Sequence, residues 1–500
     1  MRGHHYLAFD LGAESGRAML GTLDDGKLAV TEVHRFPNIP ALLPDGLHWD
    51  ALRLWSEILY AITQVVRKQG RALTGIGVDT WGVDYALLDR HGGLVSNPYH
   101  YRDARTDGMI AEACRRMPRQ EIFEWTGVQF LQLNTLFQLL AAVTRKSPEL
   151  EHAAQLVLMP DLFNYWLTGE VACEFSTATT TQCFDPRRRD WCVPLLERMG
   201  IPHHIFPKII PSGTVLGSLR APLRNETGAR DVRVIAPACH DTGSAVAAVP
   251  AERTGFAWIS SGTWSIMGAE LSEPIVNAKS LAYNFTNEGG MNNTYRFSKN
   301  IAGMWFLQEL RRAWALEGDE LSYAEITQLA AQAKPLQSII EPDARDFFGA
   351  GNMPSQLRAY CLRTGQRVPE SKGELARCAL EGLVCKYRWV LERMEELLGY
   401  RLEPIHIIGG GSKNQLLSQL TADATGRTVV TGPPEATAIG NLLVQALATG
   451  DIGSLSQARA IVRQSFPLQI LKPQNRAGWD EAFAKFSDLM AETVNTVRSP

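Results

Sequence analysis

Long apolar runs are missing from this chain. No stretch approaches the roughly 18 consecutive apolar residues that a transmembrane helix needs, and the longest uncharged runs, such as Thr254 to Ala269, are full of Ser, Thr and Gly. A membrane span is therefore not expected. Charge bias is missing too, since 50 Lys and Arg stand against 53 Asp and Glu for a net charge of -3. Nothing global draws such a surface to nucleic acid or to an anionic membrane, and a small-molecule partner is expected instead. The eight cysteines are scattered, with no C-x-x-C pair, which fits neither a disulfide framework nor a zinc site. Cys378 and Cys385 lie seven apart on a helical pattern, a rise of about 10 Å, too far for a bridge. Cys361 with Cys378 stays open as one long-range pair, and all eight read as thiols, mostly in the core. The strand-like Tyr6-Leu-Ala-Phe9 is broken by Asp10 before a secretory core can form, so a cytoplasmic protein is expected.

Low-complexity linkers are also absent, and 45% hydrophobic with 21% charged residues excludes disorder, collagen and coiled coil. The 500 residues exceed the roughly 250–300 at which a single core stops growing. At least two domains are expected, with a cleft available between them. The boundary falls between Ala247 and Gly255, where Pro250 interrupts a small-residue helix, giving domains 1–248 and 249–500.

Strand and helix signals alternate, which points to α/β layers. Tyr6–Asp10 and Ala18–Thr22 read as strands around a Gly/Ser turn, and Asp24-Asp-Gly26 supplies the next hairpin turn. Trp49 to Lys68 carries Leu52, Trp55, Ile58, Leu59, Ile62, Val65 and Val66 at helical period. Gly75–Asp79 looks like a buried strand, and helices are expected over 107–117 and 133–144. A second start repeats the layout without repeating the sequence: Phe256–Ser260, the turn Ser261-Gly-Thr263, then Trp264–Gly268. Helices are expected over 302–316, 323–333 and 374–398. The strand Ile405–Ile408 then enters Gly409-Gly-Gly411, with a helix over 414–425 behind it.

Several of these segments suit chemistry. Asp10-Leu-Gly-Ala-Glu-Ser-Gly-Arg17 leads a strand into a loop with two glycines and a hydroxyl. Glycines let backbone N–H groups approach a phosphate, Ser15 can donate, and Arg17 can pair an anionic oxygen. Asp10 suits a hydrated Mg²⁺, which favours carboxylate oxygen. A hairpin turn with a surface Asp–Arg pair explains the same residues. Gly21 to Lys27 nearly spells a P-loop, but Leu28 stands where Ser or Thr would ligate magnesium and no helix follows; a β-turn at Asp25-Gly26 is the better account. Val232–Ala236 delivers His240-Asp241-Thr242 to a small-residue helix. A carboxylate there lies at the rim where α/β sheets bind ligands and can accept a proton from a hydroxyl, or it caps the helix. Ser260–Thr263 and Gly409–Ser412 are further phosphate candidates. Trp81 is either core or a sugar-binding face, and the histidines, including His203-His204 and His406, show no metal spacing.

Two glycine/hydroxyl hairpins, a strand-borne Asp between them and a Gly-Gly-Gly loop together resemble the FGGY carbohydrate kinases, in the superfamily of hexokinase, actin and the large heat-shock chaperones. The resemblance runs along the chain through Asp10–Arg17, Asp79–Asp89, Tyr101–Arg105, Met159–Gly169, Ser176–Gln182, His240–Val246, Ser260–Gly268, Asn287–Gly290, Asn300–Trp305 and Ile405–Leu417. It implies an α/β fold of two actin/hexokinase-like, ribonuclease H-like domains with a central cleft and hinge. Domain 1–248 would hold the sugar site, the first phosphate hairpin and the catalytic Asp. Domain 249–500 would hold the second hairpin and the adenosine site.

By that resemblance Ala13, Glu14, Ser15, Gly16, Arg17, Thr263, Gln308 and Gly410 would contact ATP. Gly82, His240, Asp241, Thr242 and Asn300 would line the sugar site, with Asp241 the proton acceptor; the chemistry of Asp10 itself suits it to hold Mg²⁺ through water. Glu14 departs from the small or hydroxylated residue of many related kinases, so its charge must point away from the phosphates. Asp79–Asp84 and Ser261–Ser265 are most similar to members acting on L-rhamnulose, which implies ATP-dependent phosphorylation of its 1-hydroxyl in L-rhamnose breakdown. A kinase for L-fuculose or L-xylulose would keep every ATP motif. A non-catalytic sugar sensor should have lost the base or a hairpin, and this chain retains both. Oligomeric state stays open.

Overall fold

Pairing of the first strands sets one half of the molecule. In the computed structural model, which describes residues 3–68, 70, 72–347 and 351–498, His4–Leu11 runs antiparallel to Ser15–Asp24 and parallel to Gly75–Thr80. These strands belong to a six-stranded sheet ordered Thr214–Ser218, Arg233–Ala236, Gly75–Thr80, His4–Leu11, Ser15–Asp24, Lys27–Pro37. Every residue of Gly75–Thr80 is buried, as a strand covered on both faces must be. The near-P-loop is a hairpin end. Asp24 pairs with Lys27, and Asp25 and Gly26 both take positive φ, 46° and 72°, the conformation that a two-residue hairpin turn requires.

Chain contacts define two compact units, and each draws on separate stretches of sequence. One comprises Met1–Glu252, Glu270–Ser298 and Ala436–Phe466; the other comprises Arg253–Ala269, Lys299–Glu435 and Pro467–Pro500. In the first unit the helix expected over 49–68 forms as Ala51–Thr63, capped by the Asp50 side chain, which accepts from Arg53 N–H at 3.1 Å. Leu54, Ile58, Ala61 and Ile62 are its buried stripe. One wider turn, Gln64–Lys68, follows it. The helix Ala436–Thr449, which no local signal marked, packs on His4–Leu11, on Gly75–Thr80 and on the short helix Asp241–Ala247.

The second unit repeats the layout of the first. Ala257–Ser261 is antiparallel to Trp264–Leu271 and parallel to Ile405–Ile408, which is followed by Val429–Thr431 (parallel) and Gln469–Leu471 (antiparallel). The helix expected over 302–316 begins later, at Trp305, because Ala302 still ends the strand Tyr295–Ala302. Lys372–Leu398 opens with a capping box between Ser371 and Glu374 and stops at Gly399, whose φ is 74°, as helix ends of this kind require.

All eight cysteines are free thiols, seven of them buried. Cys361 and Cys378 do meet, with sulfurs 4.0 Å apart and unbonded. Among the described residues no helix is long and apolar enough to cross a membrane.

Gly440 marks the closest helix approach. A Cβ there would lie 1.8 Å from the Ser244 carbonyl oxygen, inside the helix that begins at Asp241. Gly440→Ala therefore forces backbone apart and is expected to lower unfolding free energy by about 2 kcal/mol or more. Urea denaturation measures this, and an unchanged midpoint would mean that the two helices separate freely.

Candidate active site

Parallel register places two carboxylates side by side at strand ends. Asp10 is opposite Asp79 and both are buried, while Arg17, opposite Asp10 on the antiparallel side, donates a guanidinium N–H to Asp10 Oδ2. The Asp–Arg pair is thus real, and Asp10 sits inside the protein rather than on an exposed turn. Burial first, and then the Asp10 charge, hold Asp79 well above the usual carboxylate range; the Asn441 amide opposes this, and Asp241 adds to it. Asn441 Nδ2 donates to Asp79 Oδ2 at 2.5 Å.

The loop between His4–Leu11 and Ser15–Asp24 is braced by its own backbone and by Asn38. Gly12 N–H donates to Ser15 O at 3.0 Å, Asn38 N–H to Glu14 O at 3.0 Å, and Asn38 Nδ2 to Gly12 O at 2.9 Å. Gly16 is required because a Cβ would lie 2.3 Å from the Phe36 ring. Glu14 is exposed, while Ala13, Ser15 and Arg17 are half-buried.

His240-Asp241-Thr242 lies against the neighbouring strand, with Thr80 N–H donating to Cys239 O at 2.9 Å. Its position is fixed by Glu174, a fully buried residue whose carboxylate accepts from Cys239 N–H at 3.0 Å and from Ser176 Oγ at 2.5 Å. Ser176 Oγ in turn accepts from His240 N–H at 3.0 Å. Asp241 is not the helix cap: His240 occupies that position and Asp241 is the first helical residue. Its Oδ1 accepts from Thr242 N–H and, at 3.0 Å, from Thr242 Oγ1. The Asp241 side chain is 34% exposed and that of His240 10%, with His240 Nε2 3.4 Å from Asp241 Oδ1. Gly82 completes this face, since a Cβ there would be 3.2 Å from His240 Nε2.

Trp81 belongs to the core. Its ring packs 4.0 Å from that of Trp49, and both indole N–H groups donate to Asp84 Oδ2, at 2.9 and 2.6 Å. Gln138 Nε2 donates to Asp84 Oδ1 at 2.7 Å. Burial pushes Asp84 up to about 6, against those donors.

In the second unit Gln308 Nε2 donates to Thr263 Oγ1 at 3.0 Å, so two expected ATP residues meet. Gln308 Oε1 is buried with no partner among the described residues, an acceptor that a ligand donor would satisfy. Met304 and Trp305 N–H bond to the carbonyls of Gly262 and Thr263 at 2.9 and 3.1 Å, joining the turn to the helix that carries Gln308. The Gly409–Gly411 loop packs on the same strand end: a Cβ on Gly411 would be 2.0 Å from Ser261 Oγ, whereas one on Gly410 meets nothing within 4 Å. Gly410 therefore leaves open space beside the Ser261 strand end. Asn300 is half-buried on Tyr295–Ala302, a strand tied down where Ala302 N–H donates to Asp343 Oδ1 at 2.8 Å.

The sequence reading missed Glu174, Glu288 and Arg296, which contact the His240 segment. Asn287-Glu-Gly-Gly290 and Ser176–Gln182 were the only signals near them.

Comparison with known proteins gives concordant results. The family model for the N-terminal domain of the FGGY family of carbohydrate kinases matches residues 5–248, and that for the C-terminal domain matches residues 257–449. The rhamnulokinase of Bacteroides thetaiotaomicron is 40% identical over 484 residues, covering 97% of this chain and 99% of that protein. That of Oceanobacillus iheyensis is 42% identical over 462 residues, covering 92% and 97%. Among solved structures, a ligand-bound xylulose kinase from Lactobacillus acidophilus superposes with a TM-score of 0.82 at 16% identity, over 98% of each chain. The glycerol kinase of Plasmodium falciparum with ADP gives 0.78 at 14% identity, over 100% of this chain and 99% of that one. At such identities the structures speak for the fold alone, which is the two-domain α/β fold expected from the sequence.

Glu174 gives this site its test. Glu174→Ala leaves the N–H of Cys239 and the Ser176 hydroxyl without an acceptor, and each buried orphan costs about 1–3 kcal/mol. The variant is expected to lose stability on that scale and to loosen the His240–Asp241 segment. Thermal unfolding together with amide exchange at residues 239–242 checks it; unchanged exchange would remove Glu174 as the anchor.

Proposed function

Because the chain belongs to the FGGY family of carbohydrate kinases, we propose that it transfers the γ-phosphoryl group of ATP to the 1-hydroxyl of L-rhamnulose. The products are L-rhamnulose 1-phosphate and ADP, in L-rhamnose breakdown in the cytoplasm. The substrate rests on relatives named rhamnulokinase that match nearly the whole chain at 40 and 42% identity. The mechanism rests on one feature of the site: a carboxylate at Asp241, open to solvent, beside a buried His240.

Asp241 accepts the hydroxyl proton as the sugar oxygen attacks phosphorus in line. Gly82, His240, Thr242 and Asn300 hold the sugar, with Gly82 leaving the space that a side chain would fill. The backbone of Ala13, Glu14, Ser15 and Gly16 and the Arg17 side chain meet the phosphates, while Thr263, Gln308 and Gly410 meet the rest of ATP. This division of roles assigns one set of contacts to residues 1–248 and another to residues 249–500.

Magnesium fits the donor set around Asp10. Carboxylate oxygen is its preferred ligand, and the negative charges of Asp10 and Asp241, which add to burial in raising Asp79, are what a dication offsets. Asp10 would hold it through water, and it would offset charge on the transferring phosphoryl group. Among the described residues no three His, Cys, Asp or Glu side chains form a direct metal cage, so water and phosphate oxygens would complete the shell.

Two measurements test the reading. ADP release across a panel of ketoses is expected to show the highest kcat/KM with L-rhamnulose; a higher value with L-fuculose or L-xylulose would replace the substrate and keep the kinase. Asp241→Asn retains an oxygen for Thr242 N–H but loses the base, so kcat is expected to fall roughly 10²–10⁴-fold with an unchanged melting temperature. A fully active Asn variant would remove Asp241 from the proton transfer.

A further inference from the structure

His240 carries two distinct ring nitrogens, and the surroundings of each are fixed by different residues. Nε2 faces Asp241 and the Gly82 side of the site. Nδ1 faces inward, 2.9 Å from an Arg296 Nη2 and 3.4 Å from Glu288 Oε2. Arg296 has no exposed surface and Glu288 is 5% exposed. Arg296 is itself held in place, with Nε donating to Gly289 O at 2.8 Å and Nη2 3.1 Å from Glu288 Oε2. Burial works to raise Glu288, but the Arg296 guanidinium acts chiefly against it, and Glu288 lies below the usual carboxylate range. It is therefore ionised, and its charge is matched by the guanidinium.

A guanidinium offers donors and no acceptor. At 2.9 Å the Nδ1 atom must accept, so it carries no hydrogen, and the neutral ring must place its proton on Nε2. The 3.4 Å separation from Glu288 lies outside the usual N–H···O range, and the carboxylate's nearer partner is Arg296. We infer that Arg296 is a positioning residue that locks His240 as the Nε2–H tautomer, so that an N–H donor stands beside the Asp241 carboxylate to bind a ketose acceptor oxygen.

The consequence is chemical selection at one point of the sugar. A bare Nε2 lone pair next to Asp241 would repel the same oxygen that the N–H attracts. A neighbour that fixes the tautomer of a working histidine by bonding its other nitrogen is a general device. Here the neighbour is a buried cation. Sugar binding by His240 rests on the function proposed above, whereas the tautomer does not.

The test is a long-range ¹H–¹⁵N correlation spectrum of the full chain labelled at histidine, at neutral pH, with His240 assigned by its loss in His240→Asn. The expected pattern is a neutral ring protonated on Nε2. A ring protonated on Nδ1, or on both nitrogens, overturns the inference, and that pattern is read on the unsubstituted chain. In Arg296→Leu, Glu288 is left to accept from Nδ1, so the ring is expected to switch tautomer. KM for the ketose should then rise by roughly tenfold, the worth of one good hydrogen bond, with KM for ATP unchanged. Arg296→Leu combined with Glu288→Gln supplies an amide donor to Nδ1 and is expected to restore the Nε2–H pattern and most of the ketose KM. Failure of the double variant to restore the tautomer counts against the inference. If the chain phosphorylates no ketose at all, the proposed function falls, and the spectrum still decides the tautomer.

Discussion

The Glu174 carboxylate has no exposed surface, and it gathers donors from three places in the sequence: the N–H groups of Ser176 and Thr177, the hydroxyls of Ser176 and Ser212, and the N–H of Cys239. A buried charge is tolerated only when its lone pairs are filled in this way. That requirement turns the carboxylate into a template: the segments that satisfy it must arrive together, and one of them carries His240 and Asp241. Burial still raises Glu174 against all five donors, which shows how much desolvation the arrangement carries.

Negative charge is concentrated around the same place. Asp10 and Asp241 both act on Asp79, with Arg17 on Asp10 and the buried Arg296 within range of Asp241 and Glu174. The deepest of the three, Asp79, responds by holding its proton more tightly, and its remaining contact is an amide from Asn441. Asp241, by contrast, keeps a third of its side chain in solvent. Position thus separates two chemically identical side chains into one buried deep in the sheet and one open to solvent.

The two units share one plan and support it differently. In the first, the turn after Asp10 is held by Asn38 from the following strand end and by Phe36 against Gly16. In the second, the turn after Ser261 is held by the start of the helix that carries Gln308 and by the Gly409–Gly411 loop. The common strand, turn and returning strand come from the same right-twisted sheet geometry. The bracing differs because each turn borrows whatever backbone its own neighbours present.

Much of this was legible in local pattern. Ile405–Ile408 begins and ends where its apolar run does, the helical period starting at Leu52 marks the first helix although Leu52 itself is exposed and Leu54 takes its place in the buried stripe, and Asp25-Gly26 closes a hairpin as turn chemistry requires. Hydrophobic period and turn residues act within a few positions, so sequence alone settles these elements and the two hairpins. It could not settle that 436–449 packs on the helix that begins at Asp241, that Trp49 spends its N–H on Asp84, or that the first helical position rather than the cap belongs to Asp241. Nor could it settle which way the His240 ring is wired. Those outcomes depend on partners tens to hundreds of residues away. The free energy of burying a charge or an amide is set by what finally surrounds it, and only the tertiary structure chooses those surroundings.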